Sequence, residues 1–182
     1  MKSPFPNSYW LEPDKILCGE YPRDLDDHGD HSSLKALLQA GVRTFIDLTR
    51  EGELKSYRET AYQFAGELGI DPSELEFYRF PISDGSIPNS REEMLAILEQ
   101  VAQARNEDRM VYIHCYGGKG RTGTVAGCVL SEINRCDGAD ALKMLGERWK
   151  GCAKSAHSSS PETDQQCGFI RKWEPSGTLF SD

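Results

Sequence analysis

The sequence of 182 residues predicts a single α/β domain with a central mixed or parallel sheet that helices cover on both faces. Short apolar, β-branched segments alternate with longer segments of helical periodicity along most of the chain. The length suits one domain with a sizeable core. We expect this domain to span residues 1–182, with an irregular segment over about 1–14 and a tail over about 174–182.

The first half of the chain is predicted to alternate strands with helices. Its strands are expected over residues 15–20, 42–48 and 75–82. A short helix, capped by Ser32 or Ser33, is expected to end at Gly41, because glycine commonly follows a helix C-terminus. A longer amphipathic helix is expected over residues 53–68, where apolar residues recur at helical spacing.

Three helices of the second half are predicted to start at a residue that caps a helix N-terminus. These residues are Ser90, Asp137 and Ser160. Glu93 completes the spacing of a capping box with Ser90, and Pro161 follows Ser160 at the first position of its helix. This last helix is expected to run to about residue 173, and the residues after it to fray.

The most informative stretch is MVYIHCYGGKGRTG, residues 110–123. An apolar strand ends at His114 and Cys115, three glycines follow within five residues, and a buried helix follows Arg121. A loop this tight can turn successive N–H groups inward to bind an anion, and the following helix adds its positive end. Glycines allow the close approach of backbone to ligand that such a loop needs.

The residues at the two ends of this loop indicate its chemistry. A thiol held over inward-facing N–H groups ionises more readily than a free thiol, and a guanidinium makes a two-pronged contact with phosphate oxygens. Cys115 alone would fit a small apolar filler of the core equally well. The ordered set of cysteine, glycines, Arg121 and Thr122 instead favours a nucleophile inside a phosphate-shaped loop, as in a phosphatase.

HCYGGKGRTG resembles the signature loop of the cysteine-dependent protein phosphatases, which is His-Cys, five residues, Arg, then Ser or Thr. The resemblance implies a phosphocysteine mechanism without a metal ion or other cofactor. It implies that Cys115 is the nucleophile and Arg121 binds phosphate. His114 would help to set the thiolate, and Thr122 would stabilise it as a leaving group. The implied phosphate-binding residues are Tyr116, Gly117, Gly118, Lys119, Gly120 and Arg121. Residues 115–121 are called the signature loop below.

An alkoxide or phenoxide leaves a phosphate ester readily only when it is protonated, so the reaction needs an acid. Asp84 lies in the turn-rich segment PISDGSIP and is by composition an ordinary turn aspartate. Dual-specificity phosphatases carry their general acid on a loop that precedes the nucleophile, often as an Asp followed shortly by a Pro. The resemblance therefore implies this role for Asp84, followed by Pro88, and makes Asp71 and Asp108 poorer candidates. Residues 83–88 are called the acid loop below.

Other segments resemble the small bacterial-type dual-specificity-like phosphatases, namely SYWLEPDKILCGEYP, GVRTFIDLTREGEL and SPETDQQCGFIRKW. The signature loop is also similar to that of the kinase-associated phosphatases, which share His-Cys-Tyr-Gly-Gly. Gln166 falls where this group has a glutamine in its final helix, which implies a water-orienting role; a surface or capping role is the simpler alternative. We expect Asp47 and Arg50, at the end of a strand, to make structural hydrogen bonds.

The net charge of −8 disfavours nucleic acid and anionic membranes as partners, because both select basic surfaces. No apolar run is long enough to cross a bilayer, and the N-terminus has no signal core. The cytoplasm, where thiols stay reduced, is therefore expected. His28 and His31 lie among Asp26, Asp27 and Asp30, which admits a metal site, but a solvated loop is favoured.

The leading hypothesis is a phosphomonoesterase that acts on phosphoprotein, with phosphotyrosine and also phosphoserine or phosphothreonine as targets. A phosphoinositide or inositol phosphate phosphatase is the alternative, because Lys119 resembles a lysine in the loop of the phosphoinositide 3-phosphatases. Their loop has a second lysine where this chain has Tyr116. A non-catalytic phosphate-binding module is disfavoured because all the catalytic residue types are present. A rhodanese-type sulfur transferase is disfavoured because its cysteine loop lacks the Gly-Lys-Gly-Arg-Thr ending. The sequence leaves the oligomeric state open.

Overall fold

The computed structural model describes residues 2–22 and 31–180, which form five strands and six α-helices. The strands are β1 (Ser8–Glu12), β2 (Ile16–Gly19), β3 (Val42–Asp47), β4 (Glu76–Arg79) and β5 (Met110–His114). The helices are α1 (Ser32–Ala40), α2 (Arg58–Glu67), α3 (Arg91–Asn106), α4 (Arg121–Asn134), α5 (Gly138–Trp149) and α6 (Asp164–Arg171). Single turns of 3-10 helix lie at Pro72–Glu74 and Ala153–Ala156.

The five strands form one mixed sheet in the order β1-β2-β5-β3-β4, which confirms the predicted fold class. Strand β1 is antiparallel to β2, and the other neighbours are parallel. Because carboxyl ends of parallel strands meet at one edge, Gly19, Asp47, Arg79 and His114 lie along the same edge. Ligands bind at this edge in open α/β sheets.

Helices cover both faces of the sheet, as the alternation of side chains along each strand requires. Phe45 and Tyr112 pack with α1 and α2 on one face, whereas Ile46 and Ile113 pack with the other four helices on the opposite face. Each fully buried apolar side chain of this kind contributes about 1.5–3 kcal/mol. The sheet is therefore held between two apolar layers, and its carboxyl edge stays open to ligands.

Residues 8–12 form the edge strand β1, so of the extended or irregular structure that the composition of this segment allows, the extended alternative is correct here and the irregular segment expected over residues 1–14 was wrong at these residues. Tyr9 and Leu11 are buried on the core side of this strand, and Tyr9 is in register with Cys18 of β2. The prolines that suggested irregular structure lie at positions 4, 6 and 13, outside the strand. A strand bounded by prolines is compatible with an edge position, where one side of the ladder is unpaired.

The helix predicted over residues 53–68 starts later, at Arg58. The preceding residues form turns, and the carboxylate of Glu53 accepts hydrogen bonds from the backbone N of Arg50 and from the side chain of Arg121. Glu53 therefore lies before the helix, where its carboxylate binds Arg121, a residue distant in sequence. Helix α1 was also assigned the wrong cap, because its N-cap residue is His31, whose side chain makes no capping hydrogen bond, although the helix does end at Gly41.

The start of the last helix was predicted three residues too early in the chain. Ser160 does not cap it, because the Ser160 hydroxyl donates a hydrogen bond to the carbonyl of Lys119 at 2.8 Å. The N-cap is Thr163, which forms a capping box with Gln166. The caps at Ser90 and Asp137 are confirmed.

The tail over 174–182 was expected to fray, but residues up to 180 pack against the domain. The buried carboxylate of Glu132 accepts hydrogen bonds from the Trp173 indole and from the backbone N of Ser176 and Gly177. Phe180 is also buried. A buried carboxylate needs such donors. Its hydrogen bonds hold residues 173–177 in place, although the composition of this segment predicted a frayed end.

The acidic segment considered as a metal site falls largely outside the described residues, since Asp26, Asp27, His28 and Asp30 are not among them. Within residues 2–22 and 31–180, no group of histidine, cysteine and acidic residues is arranged to hold a metal ion. In the same described ranges, no helix is both long enough and apolar enough to span a bilayer.

Candidate active site

The signature loop connects the central strand β5 to helix α4 at the carboxyl edge of the sheet. Cys115, directly after β5, is 3% exposed, and Arg121, the first residue of α4, is 1% exposed. Tyr116 lies between them and is 48% exposed, more than any other large apolar residue of the described chain. The loop therefore combines a shielded thiol, a shielded cation and an aromatic ring open to solvent.

The carbonyl groups of the signature loop are held by the surrounding protein. The carbonyl of Tyr116 accepts from the backbone N of Tyr21 at 3.0 Å, and that of Gly117 accepts from the Lys154 ammonium at 2.9 Å. The carbonyl of Lys119 accepts from Ser160. The N–H groups from Gly117 to Gly120 donate to no residue in the described part of the chain. Outward carbonyls and free N–H groups are what an anion-binding loop needs.

Gly118 is the position in this loop where only glycine fits. Its φ of +75° lies in the left-handed region that disfavours other residues, and a Cβ there would overlap the backbone of Gly19 and lie 2.5 Å from the N of Glu20. The loop is thus packed directly against the end of strand β2. Nothing in the local sequence pattern around Gly19 indicates this contact.

The guanidinium of Arg121 is held by acidic and carbonyl groups from two other segments. Its Nη1 and Nη2 donate to the two carboxylate oxygens of Glu53 at 2.9 and 2.7 Å, and Nη1 also donates to the carbonyl of Ile82. The hydrogen bonds from Arg121 lower the pKa of Glu53. Glu53 is a residue that sequence reasoning missed: it was assigned to a helix start, and its partner lies 68 positions further along the chain.

Two buried polar atoms at the end of the loop have no hydrogen-bond partner among the residues that the structure describes: Nε of Arg121 and Oγ1 of Thr122. A buried donor left unsatisfied costs about 1–3 kcal/mol. An oxyanion in the loop would accept from both the guanidinium and the hydroxyl. This pair of unsatisfied donors, beside a shielded thiol and free N–H groups, fits a site for a phosphate group.

The structure brings Asp84 to this site and leaves the other two aspartates away from it. Its Oδ1 lies 3.0 Å from Nη2 of Arg121, while its side chain stays 76% exposed. Asp71 caps a turn by accepting from the N of Ser73. Asp108 precedes β5 and therefore lies at the opposite edge of the sheet. An exposed carboxyl beside the phosphate-binding cation is placed to reach a leaving group.

A polar network lies beneath the signature loop and is centred on the fully buried His114. The Tyr57 hydroxyl is 2.7 Å from Nε2, and Nδ1 is 3.3 Å from the Cys115 carbonyl. Burial lowers the pKa of His114. These contacts fit the neutral ring, in which Tyr57 donates to Nε2 and Nδ1–H donates to the Cys115 carbonyl.

Asp47 lies 4.0 Å from Nδ1 of His114 and makes the structural hydrogen bonds that the sequence predicted. It accepts from the backbone and hydroxyl of Thr49 and from the guanidinium of Arg79. Burial raises the pKa of Asp47, but the neighbouring His114 and the hydrogen bonds from Thr49 and Arg79 lower it by more, so the pKa lies below its ordinary value. Arg50 donates its backbone N–H to Glu53.

Helix α6 supplies the remaining wall of the site. The Lys119 ammonium is 2.6 Å from the carboxylate of Glu162, just before this helix. Gln166 is fully buried, and its Oε1 accepts from the N of Glu162 and Thr163 at 3.1 Å. Its Nε2 donates to the carbonyl of Ser86 in the acid loop. The capping alternative for Gln166 is confirmed and the surface alternative is wrong.

Comparison with known proteins gives a consistent result. A family model described as the DSP-PTPase phosphatase domain of the Swiss Army Knife proteins matches residues 6–176. The protein 197R of Invertebrate iridescent virus 6, which carries a provisional tyrosine phosphatase name, is 26% identical over 170 residues, covering 92% of this chain and 53% of that protein. The dual specificity protein phosphatase CDC14B of Mus musculus is 30% identical over 146 residues, covering 75% of this chain and 26% of that protein. The chain therefore spans about half or less of the length of these relatives.

Solved structures share the fold at lower identity. The crystal structure of Tk-PTP in the active form has a TM-score of 0.70 and 21% identity, and the match covers 92% of this chain and 96% of that one. The structure of PTPMT1 in complex with PI(5)P has a TM-score of 0.66 and 12% identity, with coverage of 91% and 92%.

Proposed function

Because the chain belongs to the DSP-PTPase family of cysteine-dependent tyrosine and dual-specificity phosphatases, we propose that it hydrolyses phosphomonoesters of phosphoproteins through a phosphocysteine intermediate. The observation that carries this proposal is the pair of buried, unsatisfied donors on Arg121 and Thr122 beside the shielded Cys115. We place the activity in the cytoplasm, where a catalytic thiol stays reduced.

In the first step, the Cys115 thiolate attacks phosphorus and the bond to the leaving oxygen breaks. Asp84 gives its proton to that oxygen, so the product leaves as an alcohol or phenol. Charge that develops on the phosphoryl oxygens is stabilised by the loop N–H groups and by Arg121. Glu53 holds the guanidinium in a fixed orientation through its two hydrogen bonds.

In the second step, water attacks the phosphocysteine and the sulfur–phosphorus bond breaks. The Asp84 carboxylate takes the proton of the attacking water, and inorganic phosphate leaves. The Thr122 hydroxyl donates to the departing Cys115 sulfur. The neutral His114 supports the loop by donating to the Cys115 carbonyl.

The proposed substrate is a phosphorylated protein, with phosphotyrosine as the preferred group. The half-exposed ring of Tyr116 offers an aromatic surface at the mouth of the site, which suits an aryl phosphate. Lys119 is paired with Glu162 at 2.6 Å, so the cation that resembles a phosphoinositide-binding lysine is already neutralised. The carboxylate therefore opposes binding of a second phosphate by Lys119.

A phosphoinositide phosphatase is the second candidate, and the observation that favours it is the likeness to PTPMT1, whose structure contains PI(5)P. Turnover of phosphotyrosyl peptide, phosphoseryl peptide and phosphoinositide by the wild type and by Lys119→Ala separates the two. Loss confined to the phosphoinositide in Lys119→Ala would replace phosphoprotein by inositol phosphates as the proposed substrate. Lys143→Ala, at an exposed site on α5, is the matched control.

The experiment that tests the mechanism is the substitution Cys115→Ser, assayed with chelator present. We expect turnover to be abolished while phosphate binding and the unfolding midpoint stay close to the wild type, because serine is similar in size but ionises far less readily. Cys136→Ser, at a half-buried position after α4, should retain activity. Substantial turnover by the Cys115 variant, or loss of wild-type activity to the chelator, would rule out the phosphocysteine mechanism.

A further inference from the structure

The side chain of Gln166 joins three parts of the site. It is fully buried, and its amide lies between the signature loop, the acid loop and the start of helix α6. A Cβ built on Gly120 would lie 3.1 Å from Nε2 of Gln166, so the amide packs directly against the signature loop.

The two ends of this amide have separable tasks. Oε1 accepts from the N of Glu162 and Thr163 and thereby caps α6 together with the Thr163 hydroxyl. Helix capping needs no more than this oxygen. Nε2 instead donates to the carbonyl of Ser86 at 3.1 Å, across 80 positions of sequence. The hydrogen bond from Nε2 to Ser86 therefore does not contribute to the cap of α6; it joins this helix to the acid loop.

The Ser86 carbonyl belongs to the turn that carries Asp84. This turn is closed by the N of Ser86, which donates to the carbonyl of Ser83 at 3.0 Å. The Asp84 side chain is largely exposed and contacts Arg121 through one oxygen. An exposed carboxyl on a turn needs an anchor elsewhere in the turn if it is to stay within reach of a reacting atom. The Gln166–Ser86 hydrogen bond is such an anchor, and it ties the turn to the buried wall of the site.

We propose that Gln166 is a positioning residue that holds the acid loop over the signature loop, so that Asp84 reaches the leaving oxygen. The proposal rests on the proposed acid role of Asp84. Gln166 touches no reacting atom in this role; it acts through the Ser86 carbonyl. Its effect is confined to substrates whose leaving group needs a proton.

The test compares Gln166→Met with Thr163→Ala, which removes the side-chain cap of α6 but leaves the contact with Ser86. The readout is kcat/KM, which reports on phosphorylation of the cysteine, for an alkyl phosphate and for an aryl phosphate with an acidic phenol. General acid catalysis contributes about 10²–10⁴-fold. We expect Gln166→Met to lose about 10- to 100-fold on the alkyl phosphate, little on the aryl phosphate, and Thr163→Ala to leave their ratio unchanged.

Several outcomes would overturn the proposal. An equal loss on both substrates, a change of the ratio in Thr163→Ala as well, or unchanged kcat/KM with a burst of alcohol would each exclude positioning of the acid. The burst would assign Gln166 to hydrolysis of the phosphoenzyme. If Gln166→Met does not fold, Gln166→Glu keeps the capping oxygen and replaces the donor by a carboxylate oxygen, which cannot donate to the Ser86 carbonyl when it is ionised.

Asp84→Asn, measured in the same assay, separates this proposal from the function on which it rests. If Asp84→Asn loses no more on the alkyl phosphate than on the aryl phosphate, the acid assignment itself fails. If Asp84→Asn shows the dependence and Gln166→Met does not, only the positioning role fails.

Discussion

The signature loop and the acid loop lie side by side at one edge of the sheet, but they are held in different ways. The signature loop is packed against β2 and α6, and its carbonyls are bound by Tyr21, Lys154 and Ser160. The acid loop is exposed at Ser83 and Asp84, and it receives one hydrogen bond from Gln166 and one ion pair from Arg121. The difference suggests a division of work, in which one loop fixes the phosphate and the other adjusts to the leaving group.

The largest expected effect is in the signature loop, at Arg121→Lys. The charge is kept, but an ammonium cannot contact Glu53 and two phosphate oxygens with the geometry of a guanidinium. Loss of one preorganised donor to a transition state costs about a hundredfold to a thousandfold in kcat, and we expect a loss in this range for every substrate. Steady-state kinetics checks it, and near-normal kcat/KM would mean that the loop supplies charge rather than geometry.

Asp84→Asn should show a smaller and more selective effect. We expect kcat/KM, which reports on phosphorylation of the cysteine, to fall by about a hundredfold on alkyl phosphates, the lower end of the range for general acid catalysis. Aryl phosphates with acidic phenols should be affected least. Equal losses across leaving groups would remove the contrast between the two loops and the acid role of Asp84.

A matched pair of glycines tests the difference in packing directly. Gly118 and Gly85 have nearly the same φ, +75° and +71°, so alanine would have to adopt the left-handed region at both. A Cβ on Gly118 would meet the backbone of Gly19, whereas one on Gly85 would meet no atom of residues 2–22 or 31–180 within 4 Å. Denaturant unfolding of Gly118→Ala should show a loss about 1–3 kcal/mol greater than that of Gly85→Ala, because overpacking adds to the strain. Similar losses would mean that the signature loop yields as easily as the acid loop.

The same contrast decides what the sequence could predict. The elements of the signature loop are close together in sequence: strand, glycines, Arg121 and helix follow one another within residues 110–134. Their position and order could therefore be predicted from the local sequence. The contacts of the acid loop and of Glu53 join positions 80 and 68 residues apart, and no local pattern encodes such a pairing. The start of α6 was misassigned because of a single distant contact. Serine is a common N-cap residue, but the hydroxyl of Ser160 donates to the carbonyl of Lys119.

The prediction for the edge strand β1 was incomplete for a related reason. Local composition marked it as irregular, but whether a proline-flanked segment becomes a strand depends on a partner, here β2, that can bury Tyr9 and Leu11. The tail was misjudged in the same way, because Glu132 lies in a helix far from the residues it fixes. Elements defined by their own periodicity were predictable, and elements defined by a distant partner were not.

The smallest expected effect lies beneath the signature loop, at His114, in a polar network that includes Tyr57, Asp47 and Arg79. Burial holds the pKa of His114 below its ordinary value of 6.5 in the folded state. As pH falls below 6.5, the unfolded chain takes up this proton and the folded chain does not. Stability rises with pH wherever the unfolded state binds more protons, so acidification through this window must lower the free energy of unfolding.

The slope from one group is at most about 1.4 kcal/mol per pH unit. Urea unfolding of the wild type at neutral and mildly acidic pH, beside His114→Gln, measures it. We expect His114→Gln to be less stable at neutral pH, since the Tyr57 hydroxyl loses its ring acceptor, but to lose less on acidification. His157→Gln, at an exposed position, should behave as the wild type. An equal acid loss in His114→Gln would mean that His114 takes up its proton without unfolding, and that the layer under the signature loop is as adaptable as the acid loop above it.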